Sequence, residues 1–362
     1  MTDLKGKGMF TWVIQDCEGG DIDAIIARAK EAQLTFLMPK ITNGTKPYEL
    51  NAPHLEEFVD KCHAAGIKVI AWSYVYGDAP VLEAQVAVTE YLKYPYDGYL
   101  INAEYEYKNK PSQAKAFCVE LRKHLPNEFV GLSSYRYPDY HPEFPWNEFL
   151  EHVNVNMPQV YWEQADGTAA SQLDRCVASF TNPEYIQRPI MPTGSAYTNA
   201  GWVAKPDDII DFIKRADELG LDAISFWEWR YPRDRFPELW PPIAETPFGN
   251  YEEPEMPDMV WNGKYKLVFL GNMKIHSEAN FTSSVPDYAL IGEQYITSVK
   301  SDNGFYQISR GSIVGWVYGN PDYVTVTKYL EPVVIDPAPE PEPEPSDAEK
   351  LKLLWEAHPE LH

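Results

Sequence analysis

Residues 96–104 read Tyr96-Asp97-Gly98-Tyr99-Leu100-Ile101-Asn102-Ala103-Glu104. An apolar run follows Gly98 and ends in an amide and a carboxyl two residues apart. The run predicts a short buried strand over Gly98–Tyr105. Side chains two apart on a strand point to the same side, so Asn102 and Glu104 face one common space at its end. What that space is depends on the strands around it.

Outward from this stretch, short apolar runs alternate with amphipathic ones as far as residue 245. The runs predict strands at Gly8–Ile14, Thr35–Ile41, Ile67–Tyr76, Gly98–Tyr105, Phe129–Tyr135, Val153–Trp162, Pro189–Ala196 and Ala223–Trp229. Helical spacing falls between them, at Ile22–Gln33, His54–Ala65, Val81–Leu92, Ser112–His124, Trp146–Glu151, Ala169–Thr181 and Asp207–Leu219. Ala65-Gly66 and Leu219-Gly220 read as helix ends leading into strands, and Pro53 and Pro206 as first-turn residues. Eight strands in about 240 residues predict an α/β chain folded as a (β/α)8 TIM barrel. A doubly wound open sheet is the alternative; no G-x-G-x-x-G follows the first strand to support it.

In a (β/α)8 barrel the reactive groups sit at the C-terminal ends of the strands. Glu104 and Asn102 hold that position on the fourth. The candidates at other strand ends are Asp16 on the first, Asp78 on the third, Tyr135 on the fifth, Gln159 and Tyr161 on the sixth, and Trp227, Glu228 and Trp229 on the eighth. A carboxylic acid beside an amide suits hydrolysis of glycosides of N-acetylated sugars. The acid protonates the leaving oxygen and the amide orients the sugar's own acetamido group as nucleophile, an exception to the two-carboxylate scheme. Asp16 ranks first among the carboxylates that could serve as a second catalytic group.

Composition narrows the remaining classes. The net charge is −23, which disfavours nucleic-acid phosphates and anionic membrane surfaces as partners. Aromatic residues are abundant, 11 Trp, 24 Tyr and 15 Phe, and suit both a packed core and a sugar-stacking cleft. Cys17, Cys62, Cys118 and Cys176 have no C-x-x-C spacing; Cys62, Cys118 and Cys176 fall within helical patterns and read as inert, partly buried thiols. No metal or organic cofactor is expected. The start, MTDLKGKGMF, lacks the apolar core of a secretory signal, so synthesis in the cytoplasm is expected, with release needed before any action at a cell wall.

Beyond the barrel the pattern changes. Residues 241–259 (PPIAETPFGNYEEPEMPDM) are rich in Pro and Glu, and the linker is assigned to 246–260. Short β-rich runs follow at Tyr265–Phe269, Tyr295–Val299, Gly304–Ser309, Ile313–Val317 and Val324–Thr327, predicting a small all-β barrel over 261–330. Residues 331–346 form a Pro-Glu tract expected to be extended and disordered. In 347–362, Leu351, Leu353, Leu354 and Trp355 predict a short helix for self-association or docking, or the first turns of a further module.

The fourth-strand text resembles two groups of glycoside hydrolases. Family 85 endo-β-N-acetylglucosaminidases carry D-G-W-L-I-N-I-E there, which implies Asn102 as the acetamido-orienting residue and Glu104 as acid/base. Chitinase-like family 18 carries D-G-x-D-x-D-x-E, from which Leu100 and Asn102 depart. Family 25 muramidases carry D-x-E, from which Asn102 also departs. The sixth-strand text VNVNMPQVYW resembles chitinase-like barrels that place a Met and a Tyr near the acetamido group. That likeness implies Met157, Gln159 and Tyr161 on one face. Trp227 resembles the Trp that floors the reacting sugar's subsite, with Trp229 competing for the role. Gly304-Phe305-Tyr306-Gln307-Ile308 and Gly315-Trp316-Val317 resemble bacterial SH3 domains. A barrel of this kind joined to an SH3-like module is similar to phage endolysins and bacterial autolysins, which implies β-1,4 cleavage in peptidoglycan. An inactive glycan-binding or structural barrel, and a chitin- or N-glycan-directed endo-N-acetylglucosaminidase, are the other two expectations.

Overall fold

The computed structural model of the 362-residue chain describes residues 4–249, 259–280, 282–290, 292–310, 313–321 and 323–332. Eight parallel strands form its main sheet: β1 Gly6–Thr11, β2 Leu34–Asn43, β3 Lys68–Val75, β4 Gly98–Ala103, β5 Val130–Tyr135, β6 Val155–Val160, β7 Thr193–Ser195 and β8 Ala223–Trp227. Each pairs with its neighbour in order, and β1 pairs with both β2 and β8, so the sheet closes on itself. The chain therefore contains a (β/α)8 barrel. Eight helices surround it: α1 Ile22–Glu31, α2 Leu55–Ala64, α3 Pro80–Tyr91, α4 Pro111–His124, α5 Trp146–Leu150, α6 Ala169–Phe180, α7 Pro206–Glu218 and α8 Trp240–Glu245.

Local chemistry sets these boundaries. The Asp21 carboxylate accepts the Ala24 N–H at 3.1 Å and caps α1, whose buried Ile22, Ile25 and Ala29 recur at helical spacing. Gly66 and Gly220 follow α2 and α7 with φ of 77° and 65°, a left-handed conformation that stops a helix at little cost to glycine. Pro206 opens α7 as expected, whereas Pro53 lies just ahead of α2, whose N-cap is His54. Residues 241–245, part of the stretch whose composition reads as a linker, belong to α8. Pro241 and Pro242 occupy its first turn, where a missing N–H costs nothing.

Strand parity divides the apolar residues into two cores. Phe10, Phe36, Met38, Ile70, Trp72, Leu100, Val155 and Met157 fill the barrel interior. Tyr99, Ile101, Leu132, Val160 and Phe226 belong to the layer between strands and helices. Gly131 faces inward because a Cβ there would sit 2.9 Å from Leu100 and 3.2 Å from the Met157 sulfur. The four cysteines are free and buried.

Seven further strands follow: β9 Met259–Phe269, β10 Met273–Ile275, β11 Asp287–Ala289, β12 Gln294–Thr297, β13 Phe305–Arg310, β14 Ile313–Tyr318 and β15 Val324–Pro332. They form one three-stranded and two two-stranded antiparallel sheets around Leu267, Phe269, Ile275, Ile308 and Val317. The sequence predicted five strands; the short β10 and β11 were not read, because three residues carry too little periodicity. Val268 joins the barrel's outer core and Leu270 packs against it. The contact region, with Lys266 and Gln294 facing Tyr94 and Glu128, lies beside the N-terminal ends of β4 and β5. The Pro-Glu tract from residue 333 onward and the expected C-terminal helix lie outside the described residues.

Candidate active site

At the C-terminal end of the barrel the inward-facing positions change from apolar to polar. On β4, Leu100 is packed in the interior, Asn102 follows it, and Glu104 stands one residue beyond the strand. Register aligns Tyr74 of β3 and Ser133 of β5 with Asn102. These side chains line a cleft of about 270 Å³ with Phe10, Trp12, Lys40, Trp72, Gln159, Tyr161 and Trp227. A second hollow of about 340 Å³ adjoins it, lined by Tyr135, Arg136, Tyr137, Tyr140, His141, Glu163, Gln164 and Tyr197. Glu104, Gln159 and Tyr161 line both. The carboxyl of Glu104 thus stands where two lobes meet, and a chain-like substrate lying across both would carry a bond past it.

Neutral hydrogen-bonding groups surround that carboxyl. Gln159 Nε2 donates to Glu104 Oε1 at 3.0 Å, to Asn102 Oδ1 at 3.1 Å and to Ser133 Oγ at 3.3 Å. With its amide turned the other way, Asn102 donates to Glu104 Oε1 at 3.1 Å and to the Ser133 carbonyl at 3.3 Å. Burial pushes the pKa of Glu104 up, with a smaller push from Glu106, while the two amides pull it down. Glu106 itself accepts the Tyr74 hydroxyl at 2.7 Å. The net direction favours a protonated acid, the state required of a proton donor. Burial, with Glu104 nearby, likewise holds the Tyr161 hydroxyl protonated well above its ordinary range, leaving it a donor. Arg136 fixes the strand end at that point by donating to the Tyr161 carbonyl.

Trp227 faces the cleft, its ring centroid 5.1 Å from Phe10, 5.6 Å from Trp12 and 5.7 Å from Trp72. Together these rings form an aromatic wall suited to the C–H face of a sugar. Trp229 does not reach the cleft. It is fully buried behind the strands, 5.4 Å from Trp240, and its indole donates to Glu18 at 3.3 Å. β8 ends at Trp227, so the alternation that would pair 227 with 229 stops there.

The other carboxylates expected at strand ends are engaged elsewhere. β1 ends at Thr11, and Asp16 is carried on a 3-10 turn to an exposed position 3.5 Å from Arg230. Asp78 is exposed and pairs with Lys110 at 2.8 Å. Glu228 is buried, and its carboxylate meets the Arg230 guanidinium at 3.2 Å. Neither Asp16, Asp78 nor Glu228 lines the cleft that holds Glu104. Tyr135 lines the second hollow and stacks on His141 with ring centroids 3.7 Å apart. Glu163 lies in that hollow too, held by Tyr197 and Asn199 at 2.8 Å each.

Several lining residues were not singled out from the sequence: Trp12, Lys40, Trp72, Tyr74, Ser133 and Arg136. All but Trp12 and Arg136 lie inside strands, within runs that read as core. Lys40 carried a signal, a charge two residues after Met38 on the inward face of a buried strand. Asn51 was also missed. Fully buried, it accepts the Ile14 N–H and donates to the Trp12 and Lys40 carbonyls, each at 2.9 Å, tying the ends of β1 and β2 together. Among the described residues no group of three His, Cys, Asp or Glu is arranged to hold a metal ion.

No protein-family model matches the sequence, and no curated protein does. Solved structures do match. The glycoside hydrolase domain of PgaB (BpsB) from Bordetella bronchiseptica is similar with a TM-score of 0.51 and 12% identity, over 67% of this chain and 99% of that one. The spore cortex-lytic enzyme SleL of Bacillus cereus is similar with a TM-score of 0.50 and 10% identity, over 69% of this chain and 76% of that one. A glycoside hydrolase family 5 protein of Bacteroides vulgatus is similar with a TM-score of 0.50 and 10% identity, over 90% and 86%. At such identities the likeness is one of fold.

Proposed function

We propose that this chain is a glycoside hydrolase that cuts β-1,4 bonds next to N-acetylated sugars in peptidoglycan, with Glu104 as acid/base and Asn102 orienting the acetamido group. One observation carries the reading: a carboxyl raised in pKa by burial, surrounded by neutral amides, stands at the junction of two lobes opposite an aromatic wall. Glu104 protonates the departing glycosidic oxygen. The acetamido carbonyl oxygen attacks the anomeric carbon from the other face, giving a cyclic oxazolinium. Glu104, now a carboxylate, takes a proton from water, which opens the ring with net retention. Asn102 and Tyr161 hold the acetamido group in line for the attack.

The substrate-assisted route is favoured because Asp16, Asp78 and Glu228 each have a cationic partner outside the cleft, and Glu163 is held by two donors in the second hollow. We further propose that the β-rich segment is SH3-like and binds the wall, with the protein made in the cytoplasm and acting after release. Its attachment at the far end of the barrel would leave the cleft open to a glycan strand.

The test is digestion of purified peptidoglycan by the native chain and by Glu104→Gln, with fragments sized by mass spectrometry before and after borohydride reduction. New reducing ends from the native chain alone are expected, and the reduced sugar names the bond. Cleavage confined to chitin oligomers or N-glycans would move the substrate away from the wall. Binding without cleavage on any of these would make the barrel a glycan-binding module.

A further inference from the structure

Lys40 lies in the cleft with Glu104, and the reaction proposed above makes no use of it. Along β2, Phe36 and Met38 pack inside the barrel, and Lys40 is the next residue on that face. It is 6% exposed. Its Nζ donates to Asn43 Oδ1 at 2.9 Å and stands 4.8 Å, 4.9 Å and 5.7 Å from the ring centroids of Tyr48, Trp72 and Tyr74. Among the described residues it forms no ion pair.

A buried ammonium normally has its charge and its three N–H groups answered. Lys7, the other strongly buried lysine of the barrel, donates to the carbonyls of Ile243, Ala244 and Thr246. Lys40 spends one donor on a neutral amide. The aromatic faces hold the cation in position, but they leave its remaining donors unanswered. Burial lowers the pKa of Lys40 to about 8, so the group is still mostly charged at neutral pH.

We propose that Lys40 is a specificity residue that binds a carboxylate carried by the substrate, so that the sugar seated beside Tyr48, Trp72 and Tyr74 is an acidic one. The inference rests on the glycosidase reading and names its substrate class. A free lactyl carboxyl of a muramic acid and the carboxyl of a uronic acid present the same chemistry to the ammonium. A neutral chito-oligosaccharide offers only hydroxyls and amides and leaves the charge unpaired.

Calorimetric titration of three oligosaccharides of equal length tests this: N-acetylglucosamine throughout, N-acetylglucosamine alternating with muramic acid bearing a free lactyl carboxyl, and N-acetylglucosamine alternating with glucuronic acid. The protein is the full chain carrying Glu104→Gln, alone or with Lys40→Met or Lys40→Arg. Lys40→Met is expected to weaken one acidic ligand about ten- to a hundredfold more than the neutral one, the cost of a lost charge-assisted hydrogen bond. Lys40→Arg should restore part of that difference. The acidic ligand that responds identifies the source of the carboxylate. A purely structural lysine would lower the unfolding temperature when replaced; the expectation for Lys40→Met is an unchanged or higher one. Equal losses for all three ligands, or no binding of either acidic ligand, overturn the proposal. Turnover by the chain with native Glu104 is scored separately. Its absence strikes the glycosidase reading and leaves the binding comparison readable.

Discussion

Two sides of the barrel mouth surround their carboxyls in opposite ways. Around β4 to β6, Glu104 is met by Asn102, Gln159, Ser133 and Tyr161, none of them charged at neutral pH. Around β8 and β1, Glu228 and Asp16 share Arg230, and Glu18 takes Arg233 at 2.6 Å. Burial raises the pKa of both Glu104 and Glu228, but at Glu228 the Arg230 charge works against the rise. A carboxyl hydrogen-bonded by neutral amides and paired with no cation can pass between acid and base during a reaction. At Glu228 a fixed guanidinium charge opposes that rise and ties the carboxyl into an ion pair. Under the proposed function, the contrast sets the acid assigned to the reaction apart from carboxyls held in ion pairs.

Substitutions at the two sides should break this symmetry in different observables. The largest effect is expected for Glu104→Gln, a fall in kcat on the cleaved glycan of about a thousandfold, within the usual range for removing a general acid/base. Next comes Asn102→Ala, with kcat lower by about a hundredfold and KM moved much less, because the amide acts mainly when the acetamido group attacks. Steady-state kinetics on one defined oligosaccharide reads both. Glu228→Gln should leave kcat within severalfold and instead cost about 1–3 kcal/mol of stability by removing Arg230's buried partner and leaving it only the exposed Asp16, discounted because that guanidinium is partly solvated. Urea unfolding measures it, and Glu104→Gln in the same assay should be near neutral.

The smallest effect is in pH dependence. Because the pKa of Glu104 is raised in the fold, folding stabilises its protonated form relative to the ionised one. Its contribution to stability is complete below the unfolded value, roughly 4.3, and is lost as pH rises through the folded value. The general acid disappears over the same window, so kcat/KM should fall as pH rises past the ordinary carboxylate range. The stability slope there should flatten in Glu104→Gln.

The barrel was legible because strand and helix periodicities alternate eight times with little interruption, and β4 was legible down to Asn102 and Glu104, which face one cleft at its end. What failed were positions just beyond strand ends. Asp16 and Trp229 were read as extensions of β1 and β8, but both strands stop earlier and turns redirect the chain. Parity carries no information past the last ladder residue. Lys40, Trp72 and Tyr74 were lost for the opposite reason, since inside a strand a cleft-lining residue and a core residue occupy the same pattern. The start of α8 was hidden by prolines whose place in a first turn depends on the helix behind them.

The buried Nζ of Lys7, anchored to carbonyls at the end of α8, joins residues 236 to 239 positions apart. β1 meets β8 at the same seam. During synthesis the first strand therefore emerges long before its partner, and nearly the whole barrel must leave the ribosome before the ring can shut. Until then β1, paired with β2 on one side only, leaves its other edge open to pairing with another molecule.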